Sequence, residues 1–454
     1  MATKIAFADL THTGQVVAAN ATPLGIGLVA SYAKKQLGSE IDIEIFKYPD
    51  DFGNYLDNNK PQIVCFSLFV WNTGLARKYA LLIKDRSPDT IIIAGGASVP
   101  MSGKDLEQFI YRYEGFDFWV SGEGELAFVE LYEKLKTYDF NKHAFKQDQC
   151  KSSNVSYVSG DHIISGPTLP RIADLNEIPS PYTEGLFDKF FDDKLIPLLE
   201  TNRGCPYACT FCHEGNLYFN KIRWSSREFV NKELEYISSR AKCGDLIIVD
   251  SNFGMFDEDI ETSRVISSCQ EKYNWPLYVI VATAKNTKKR IVEISKILKG
   301  TLDPGAAVQS TDEAVLKTIK RKNLPLKDVI EVGKTSENDG ACSISEVILC
   351  LPGDSKKAHF KSVGDMIDAG FSVIRQYQFQ LLPGTEGANI ESRREHKIES
   401  RFRVKPMNFG CYEVFGKSFS VAEIEEISVA NKTMPYSDYL ECRALNLTVE
   451  IFHN

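Results

Sequence analysis

Between Thr201 and Gly215 the chain reads TNRGCPYACTFCHEG, which puts Cys205, Cys209 and Cys212 within eight residues, with no further cysteine before Cys243. Three thiols on one tight loop behind an apolar run converge, and converging thiolates invite a metal. A structural zinc takes four closed ligands, commonly in C-x2-C pairs. His213 is the nearest other donor, but it directly follows Cys212 and cannot easily fold back onto the same ion. A 4Fe-4S cluster held at three irons would leave the fourth iron open to a small chelator. Zinc, cluster and plain buried thiols all remain open on spacing alone.

More polar residues stand where later apolar runs end. DSNFG offers Asp250 and Asn252, VQST offers Gln309 and Ser310, and Arg321 follows one helical stretch later. EVILCLPGD supplies Glu346 and an apolar wall at Ile348, and LLPGT carries Leu382. Nearer the N-terminus, FSLFVWN contains Ser67, while AGGASVP and VSGEGE contribute Gly95, Gly96, Gly122, Glu123 and Gly124. His12 lies in DLTHTG, just beyond the first apolar run.

These positions need a scaffold, and hydrophobic periodicity supplies one. The first 140 residues alternate short apolar runs (4–10, 41–48, 61–69, 90–97, 116–125) with amphipathic stretches (23–38, 73–88, 104–113), which predicts a doubly wound parallel sheet. Such sheets keep their ligand crevice outside the carboxyl ends of the strands. A stretch rich in Pro, Gly and Ser reads as a linker. A second β/α series (195–204, 244–254, 276–285, 305–311, 342–354, 372–387) predicts a partial β/α barrel of six strands, with active groups at their carboxyl ends. The expected division is 1–140 doubly wound domain, 141–194 linker, 195–390 partial barrel and 391–454 α-rich C-terminal extension, with an acidic helical stretch from Val421. Leu440, Ala444, Leu447 and Ile451 keep helical spacing to the end without a Gly or Pro stop, so either the chain is cut there or its tail leans on a partner.

Bulk properties narrow the function classes. A chain of 454 residues with 43% hydrophobic and 25% charged residues suits a globular protein of two or three domains. The net charge of -8 argues against a nucleic-acid surface. The basic runs 285–290, 317–322 and 393–405 read as solvated helix faces. No membrane-length apolar run and no signal-like start appear, so a cytoplasmic protein without a membrane span is expected. Eleven cysteines without a paired framework point to reduced thiols, and a reducing compartment suits an oxygen-sensitive cluster.

CPYACTFC resembles the C-x3-C-x-aromatic-C signature of radical S-adenosylmethionine enzymes. PLGIGLVASYA, FSLFVWN, AGGASVP and VSGEGE, followed by the Pro-rich linker and the cysteine motif, resemble the cobalamin-binding members of that family across about residues 1–390. The resemblance implies a 4Fe-4S cluster on Cys205, Cys209 and Cys212. Its open iron would be chelated by the amino and carboxylate groups of S-adenosylmethionine, which is then cleaved to methionine and a 5'-deoxyadenosyl radical. It further implies that Asp250 and Asn252 hold the methionine part, with Gln309, Ser310 and Glu346 as polar contacts and Arg321 on the carboxylate. Phe211, Ile348 and the backbone at Leu382 would meet the adenine. Ser67, Gly95, Gly96, Gly122, Glu123 and Gly124 would line the slot for the cobalamin tail, where small residues let backbones approach closely. Many cobalamin proteins carry a cobalt-binding histidine in D-x-H-x-x-G. Here His12 stands three residues after Asp9 instead of two, so a loop histidine near the corrin is implied rather than a cobalt ligand.

What the resemblance implies for activity is methylation of an unactivated carbon in a small metabolite, or in a lipid or polysaccharide precursor. The radical would remove a hydrogen, methylcobalamin would supply the methyl group, and an electron donor such as flavodoxin or ferredoxin would reduce the cluster. Rearrangement, cyclisation or oxidation with cobalamin in another role is the rival, and a non-catalytic cobalamin sensor is another. Methylthiolation is disfavoured, because that group uses three further N-terminal cysteines and only Cys65 precedes Cys150 here. Nothing in the spacing of Glu214 or Tyr218 selects a substrate.

Overall fold

Strands buried on both faces need unbroken apolar runs rather than alternation, and four such runs with one alternating edge strand, IDIEIF, build the parallel part of the first sheet of the computed structural model. The structure describes residues 2–284, 288–302, 305–325 and 343–454. Lys285 and Cys342, which bound two of the expected strands, lie outside the described residues. Chain order begins β1 (Thr3–Ala8), α1 (Leu24–Leu37), β2 (Ile41–Phe46), α2 (Pro49–Asn58), β3 (Ile63–Ser67), α3 (Thr73–Arg86), β4 (Ile91–Gly95), α4 (Gly103–Arg112), β5 (Phe118–Val120) and α5 (Glu125–Thr137). The five strands are parallel in the order β2-β1-β3-β4-β5. This is the doubly wound sheet expected from the periodicity.

The stretch read as a linker contributes structure of its own. After α6 (Lys142–Gln147), β6 (Val155–Ser159) extends the same sheet antiparallel to β5, and β7 (His162–Ser165) pairs antiparallel with β6. Gly160 turns this hairpin with φ +58°. Polar and Gly/Pro-rich flanks hid two strands too short to show a period.

The second series starts with β8 (Leu198–Leu199), β9 (Asn202–Arg203), β10 (Arg223–Trp224) and α7 (Arg227–Ser238). It continues with β11 (Asp245–Phe253), α8 (Asp257–Tyr273), β12 (Tyr278–Thr283), α9 (Lys288–Ile297), β13 (Gly305–Gln309), α10 (Glu313–Thr318), β14 (Ile344–Leu349), α11 (Lys356–Asp368), β15 (Val373–Gln378) and α12 (Ile390–Glu395). Six parallel strands form two sheets of three, β12-β11-β8 and β13-β14-β15. The Thr283 hydroxyl donates to the Gly305 carbonyl at 2.8 Å and links β12 to β13 where no ladder does. Val308, Val347 and Ile374 pack under Val363 and Met366 of α11. Strand alternation therefore turns Gln309, Glu346, Arg375 and Tyr377 to the opposite face.

The C-terminal region departs from expectation between residues 399 and 430. Two long antiparallel strands, β16 (Glu399–Val414) and β17 (Lys417–Ala430), meet at Phe415 and Gly416, both with positive φ as a two-residue hairpin turn requires. The segment from Val421 is thus a strand and not a helix. Val421, Ile424 and Ile427 stand three apart and imitate a helical stripe, while the true inner face carries buried glutamates. Glu423 accepts from the Gly74 and Leu75 amides at 2.8 Å each, and Glu425 meets Arg403 at 2.5 Å and Lys405 at 3.0 Å. The chain ends in α13 (Tyr436–Phe452), as its spacing predicted.

Two units emerge, Met1–Leu195 with Arg403–Glu425, and Ile196–Phe402 with Glu426–Asn454. Among the described residues no helix is long and apolar enough to cross a membrane.

Candidate functional site

The cysteine loop leaves β9 through Gly204, whose φ of +118° redirects the chain toward Cys205. The Cys205 amide donates to the Phe219 carbonyl at 3.0 Å, and the Cys212 amide to the Cys209 carbonyl at 3.1 Å. A Cβ at Gly215 would stand 2.1 Å from the Cys209 carbonyl oxygen, so the loop closes only over glycine. The Thr210 amide donates to Ile319 at 3.1 Å and its carbonyl accepts from Gly387 at 2.6 Å, which stitches the loop to the end of α10 and to the turn before α12. Cys205 and Cys209 are buried and Cys212 half-buried. Among the described residues no three His, Cys, Asp or Glu side chains surround a single-ion position. A cluster does not need that arrangement, since each thiolate takes its own iron.

The end of β11 grips this loop. Asp250, 1% exposed, accepts from the Thr201 amide at 2.8 Å, the Thr201 hydroxyl, the Asn202 amide at 3.2 Å and the Asn202 side chain at 2.8 Å. Burial pushes its carboxyl up to about 8, against the pull of those donors. Expected to contact a methionine moiety, Asp250 instead spends its oxygens on the two residues that lead into the cluster loop. The Ser251 hydroxyl donates to Glu214 beyond Cys212, and Asn252 Nδ2 lies 3.2 Å from Cys205 Sγ.

Gln309 and Arg321 approach from the other sheet. Gln309 has a φ of +62°, and its Nε2 lies 3.5 Å from Glu346 Oε2. The buried atoms Asn252 Oδ1 and Gln309 Oε1 have no hydrogen-bond partner among the described residues. Buried acceptors are costly to leave unpaired, and two of them fit an incoming cationic or N–H donor. The Arg321 guanidinium donates to Asn323 at 2.8 Å and to the Ala307 carbonyl, and lies 6.0 Å from the Phe211 ring centre. Burial lowers its pKa, while Cys209, Glu346 and Cys212 hold it cationic. Phe211 and Ile348 pack against one apolar cluster, and Leu382 sits half-buried in the turn after β15.

Asn252 thus meets Cys205, while Arg321 brings Cys209, Phe211 and Glu346 together, with Gln309 beside Glu346 and Ile348 on the apolar cluster that Phe211 joins. Ser310 turns away, its hydroxyl 3.3 Å from that of Ser362 and accepting from the Asp312 amide at 3.2 Å. Sequence reasoning missed Thr201, Asn202 and Ser251. The TN pair just ahead of Gly204 was the available signal, because small polar residues at a strand end are commonly there to be held.

In the first unit the glycines have internal reasons. A Cβ on Gly96, φ +98°, would stand 2.7 Å from the Leu68 amide nitrogen, and one on Gly124 would press Val29 at 3.0 Å. Gly122 has a φ of +72°. Ser67 and Gly95 end β3 and β4 side by side in register. Glu123 accepts from Arg171 Nε at 2.7 Å and the Ile172 amide at 3.0 Å, so it ties down the following segment rather than facing a slot. His12 is fully buried, with Nδ1 3.0 Å from the Tyr412 hydroxyl and Nε2 3.0 Å from Glu423 Oε1. Both ring nitrogens are engaged, which makes His12 a tether to the β16–β17 hairpin and leaves no lone pair for a metal.

Two further features at the carboxyl end of this sheet were not foreseen. Asp9 pairs with Lys47 at 3.1 Å, and Asn72 donates to Asp9, Leu10 and Ser67 at 3.1, 2.9 and 3.1 Å. Phe69 and Trp71 stack at 4.4 Å with 5° between their planes, and the buried Trp71 Nε1 has no partner among the described residues. A flat ring pair with an orphaned donor fits a large, planar, partly polar ligand.

Comparison with known proteins agrees with this layout. A family model for the B12 binding domain matches residues 12–132. The chain is 29% identical over 451 residues to the 2-(S-pantetheinyl)-carbapenam-3-carboxylate methyltransferase of Streptantibioticus cattleyicolor, covering 95% of this chain and 63% of that one. It is 30% identical over 410 residues to the cobalamin-dependent radical SAM methyltransferase TokK of Streptomyces tokunonensis, covering 87% and 57%. The chain thus spans about six-tenths of the length of these relatives. In fold it resembles TsrM, a radical S-adenosylmethionine methyltransferase from Kitasatospora setae, with a TM-score of 0.69 at 13% identity over 99% of this chain and 89% of that one.

Proposed function

We propose that the chain, similar to cobalamin-dependent radical S-adenosylmethionine methyltransferases, methylates an unactivated carbon of a small molecule. The observation that carries this reading is the three-cysteine loop, held by β11 and touched by Asn252, whose buried Oδ1 has no partner among the described residues, in a chain that also matches a B12 binding domain. Cys205, Cys209 and Cys212 would hold a 4Fe-4S cluster. Asn252 Oδ1 and Gln309 Oε1 would accept from the amino group of S-adenosylmethionine, and Arg321, cationic beside Cys209, would take its carboxylate. Phe211, Ile348 and the turn at Leu382 form the apolar wall for an adenine. Phe69 and Trp71 offer a platform for the corrin, and the ends of β3 and β4 at Ser67 and Gly95 a slot for its tail. When bound, these groups supply a hydrogen-abstracting radical and a transferable methyl group, chemistry no side chain can perform.

The residues of the chain do the rest. Asp250 and Ser251 hold the loop on both sides, so that the thiols do not have to be ordered when the cluster is built. Phe211 and Ile348 exclude water from the place where an unselective radical would be quenched. One relative's named substrate, 2-(S-pantetheinyl)-carbapenam-3-carboxylate, is a small acid. A hopanoid C-3 methylase among the relatives keeps a lipid precursor beside a small metabolite, and the methyltransferase names among them support methylation, one cyclase being the exception. The one-electron reductant would be a flavodoxin or ferredoxin in a reducing cytoplasm.

Anaerobic purification, reconstitution with iron, sulfide and cobalamin, and a visible spectrum after gel filtration test the proposal. Retained corrinoid and iron-sulfur absorption, with methionine and 5'-deoxyadenosine released from S-adenosylmethionine, is the expected result. Protein that emerges without corrinoid bands would sink the methyltransferase reading.

A further inference from the structure

Asn252 differs from its neighbours on β11 because its two ends have different fates. Nδ2 lies 3.2 Å from Cys205 Sγ, while the buried Oδ1 has no partner among the described residues. The opposite amide orientation would set an acceptor against a thiolate, so sulfur itself selects the orientation with the donor facing it. Asp250 and Ser251 fix the loop before Cys205 and after Cys212, which holds the N–H to sulfur distance steady. Donation to an iron-ligating sulfur draws charge from it and favours the reduced, more negative cluster, raising the reduction potential.

Resting on the cofactors proposed above, we infer that Asn252 couples S-adenosylmethionine binding to cluster reduction through one amide. Its Nδ2–H raises the potential of the cluster at Cys205, and its Oδ1 receives the amino group of the cosubstrate. An iron-bound amino group keeps its N–H bonds, and donation from one of them to Oδ1 polarises the amide and makes the Nδ2–H a stronger donor, because hydrogen bonds in a chain reinforce one another. Binding at one end therefore eases electron entry at the other. Arg321 beside Cys209 supplies positive charge but cannot relay in this way, since a guanidinium has donors and no acceptor.

The test is an EPR-monitored redox titration of the reconstituted full chain with dithionite, with and without S-adenosylmethionine, at measured iron and sulfide content. For wild type the midpoint should rise when S-adenosylmethionine is added. Asn252→Leu, which removes both ends, should titrate at a more negative potential and show a smaller rise. Asn252→Asp keeps size and acceptor but loses the donor, so its midpoint should also fall while S-adenosylmethionine still binds. Fully loaded variants that titrate with the wild type overturn the inference. Variants that take up no cluster where wild type does also overturn it, because Asn252 is then part of the scaffold. If wild type itself assembles no cluster, the reading of the three cysteines falls as well, and iron content separates that failure from an unchanged potential.

Discussion

Removing the Asp250 carboxylate should loosen the entry to the cysteine loop far more than neutralising it. Four donors from Thr201 and Asn202 end on Asp250. In Asp250→Ala the Thr201 hydroxyl and the Asn202 amide can turn to other partners, but the two backbone N–H groups cannot. A buried donor left unsatisfied costs about 1–3 kcal/mol, so the pair costs about 2–6 kcal/mol. Both backbone bonds run to Oδ1. Asp250→Asn can keep an oxygen there, turn its NH2 toward the Thr201 hydroxyl, and lose about 1 kcal/mol. Hydrogen exchange read by mass spectrometry on a peptide spanning residues 198–204 measures this directly. At about 1.4 kcal/mol per tenfold, Asp250→Ala should speed exchange at Thr201 and Asn202 by roughly thirty-fold or more, and Asp250→Asn by about five-fold. Equal exchange in wild type and Asp250→Ala would refute the argument that this carboxylate holds the loop.

Three shorter predictions accompany it. Cys209→Ala should abolish 5'-deoxyadenosine formation, and continued cleavage of S-adenosylmethionine would remove the cluster assignment. His12→Gln should lower the melting temperature by the loss of a buried pair of hydrogen bonds, about 1–3 kcal/mol, without altering the EPR hyperfine pattern of bound cob(II)alamin. A changed pattern would make His12 a cobalt ligand after all. Asp354, pushed by burial from 3.8 up to about 7, accepts from the Cys350 and Ser355 amides at 2.9 and 2.8 Å. A raised carboxylate pKa contributes stability that is complete below the ordinary value and lost as pH climbs through 7. The melting temperature should therefore fall between about pH 4 and pH 7 and level off above that, and Asp354→Asn should flatten the fall.

Why some of this could be read from sequence and some could not follows from the residues involved. Apolar runs such as Ile91–Gly95 announce a strand wherever it sits, because burial on both faces leaves one composition. The cysteine loop announces itself because thiols at that spacing have few other uses. The strand from Lys417 to Ala430 did not, since Glu423 and Glu425 occupy inward positions, and partners 411 residues away at His12 or across the hairpin at Arg403 make them tolerable there. No window along the chain can contain such a pair. Asp250 and Asn252 show the same limit at the site itself. Residue type placed both at a strand end, but which neighbour each one meets depends on how β8 and β9 pass beside β11.

That passage has a backbone cause. Residues on a regular strand alternate sides, so Asp250 and Asn252 would share one face and Ser251 the other. Yet the pairing of β11 with β12 slips here, with Ile248 opposite Val281 and Phe253 next opposite Thr283. Three more residues lie on β11 than on β12 between those pairs, which takes Val249 to Asn252 out of the ladder. Bulges of this kind bend a strand and re-aim its side chains, often beside active sites. Freed from the ladder, Asp250, Ser251 and Asn252 reach the start, the end and a sulfur of one loop. A straight β11 would present at most two of them, so the slip in register is what lets three successive residues hold three points of the cysteine loop.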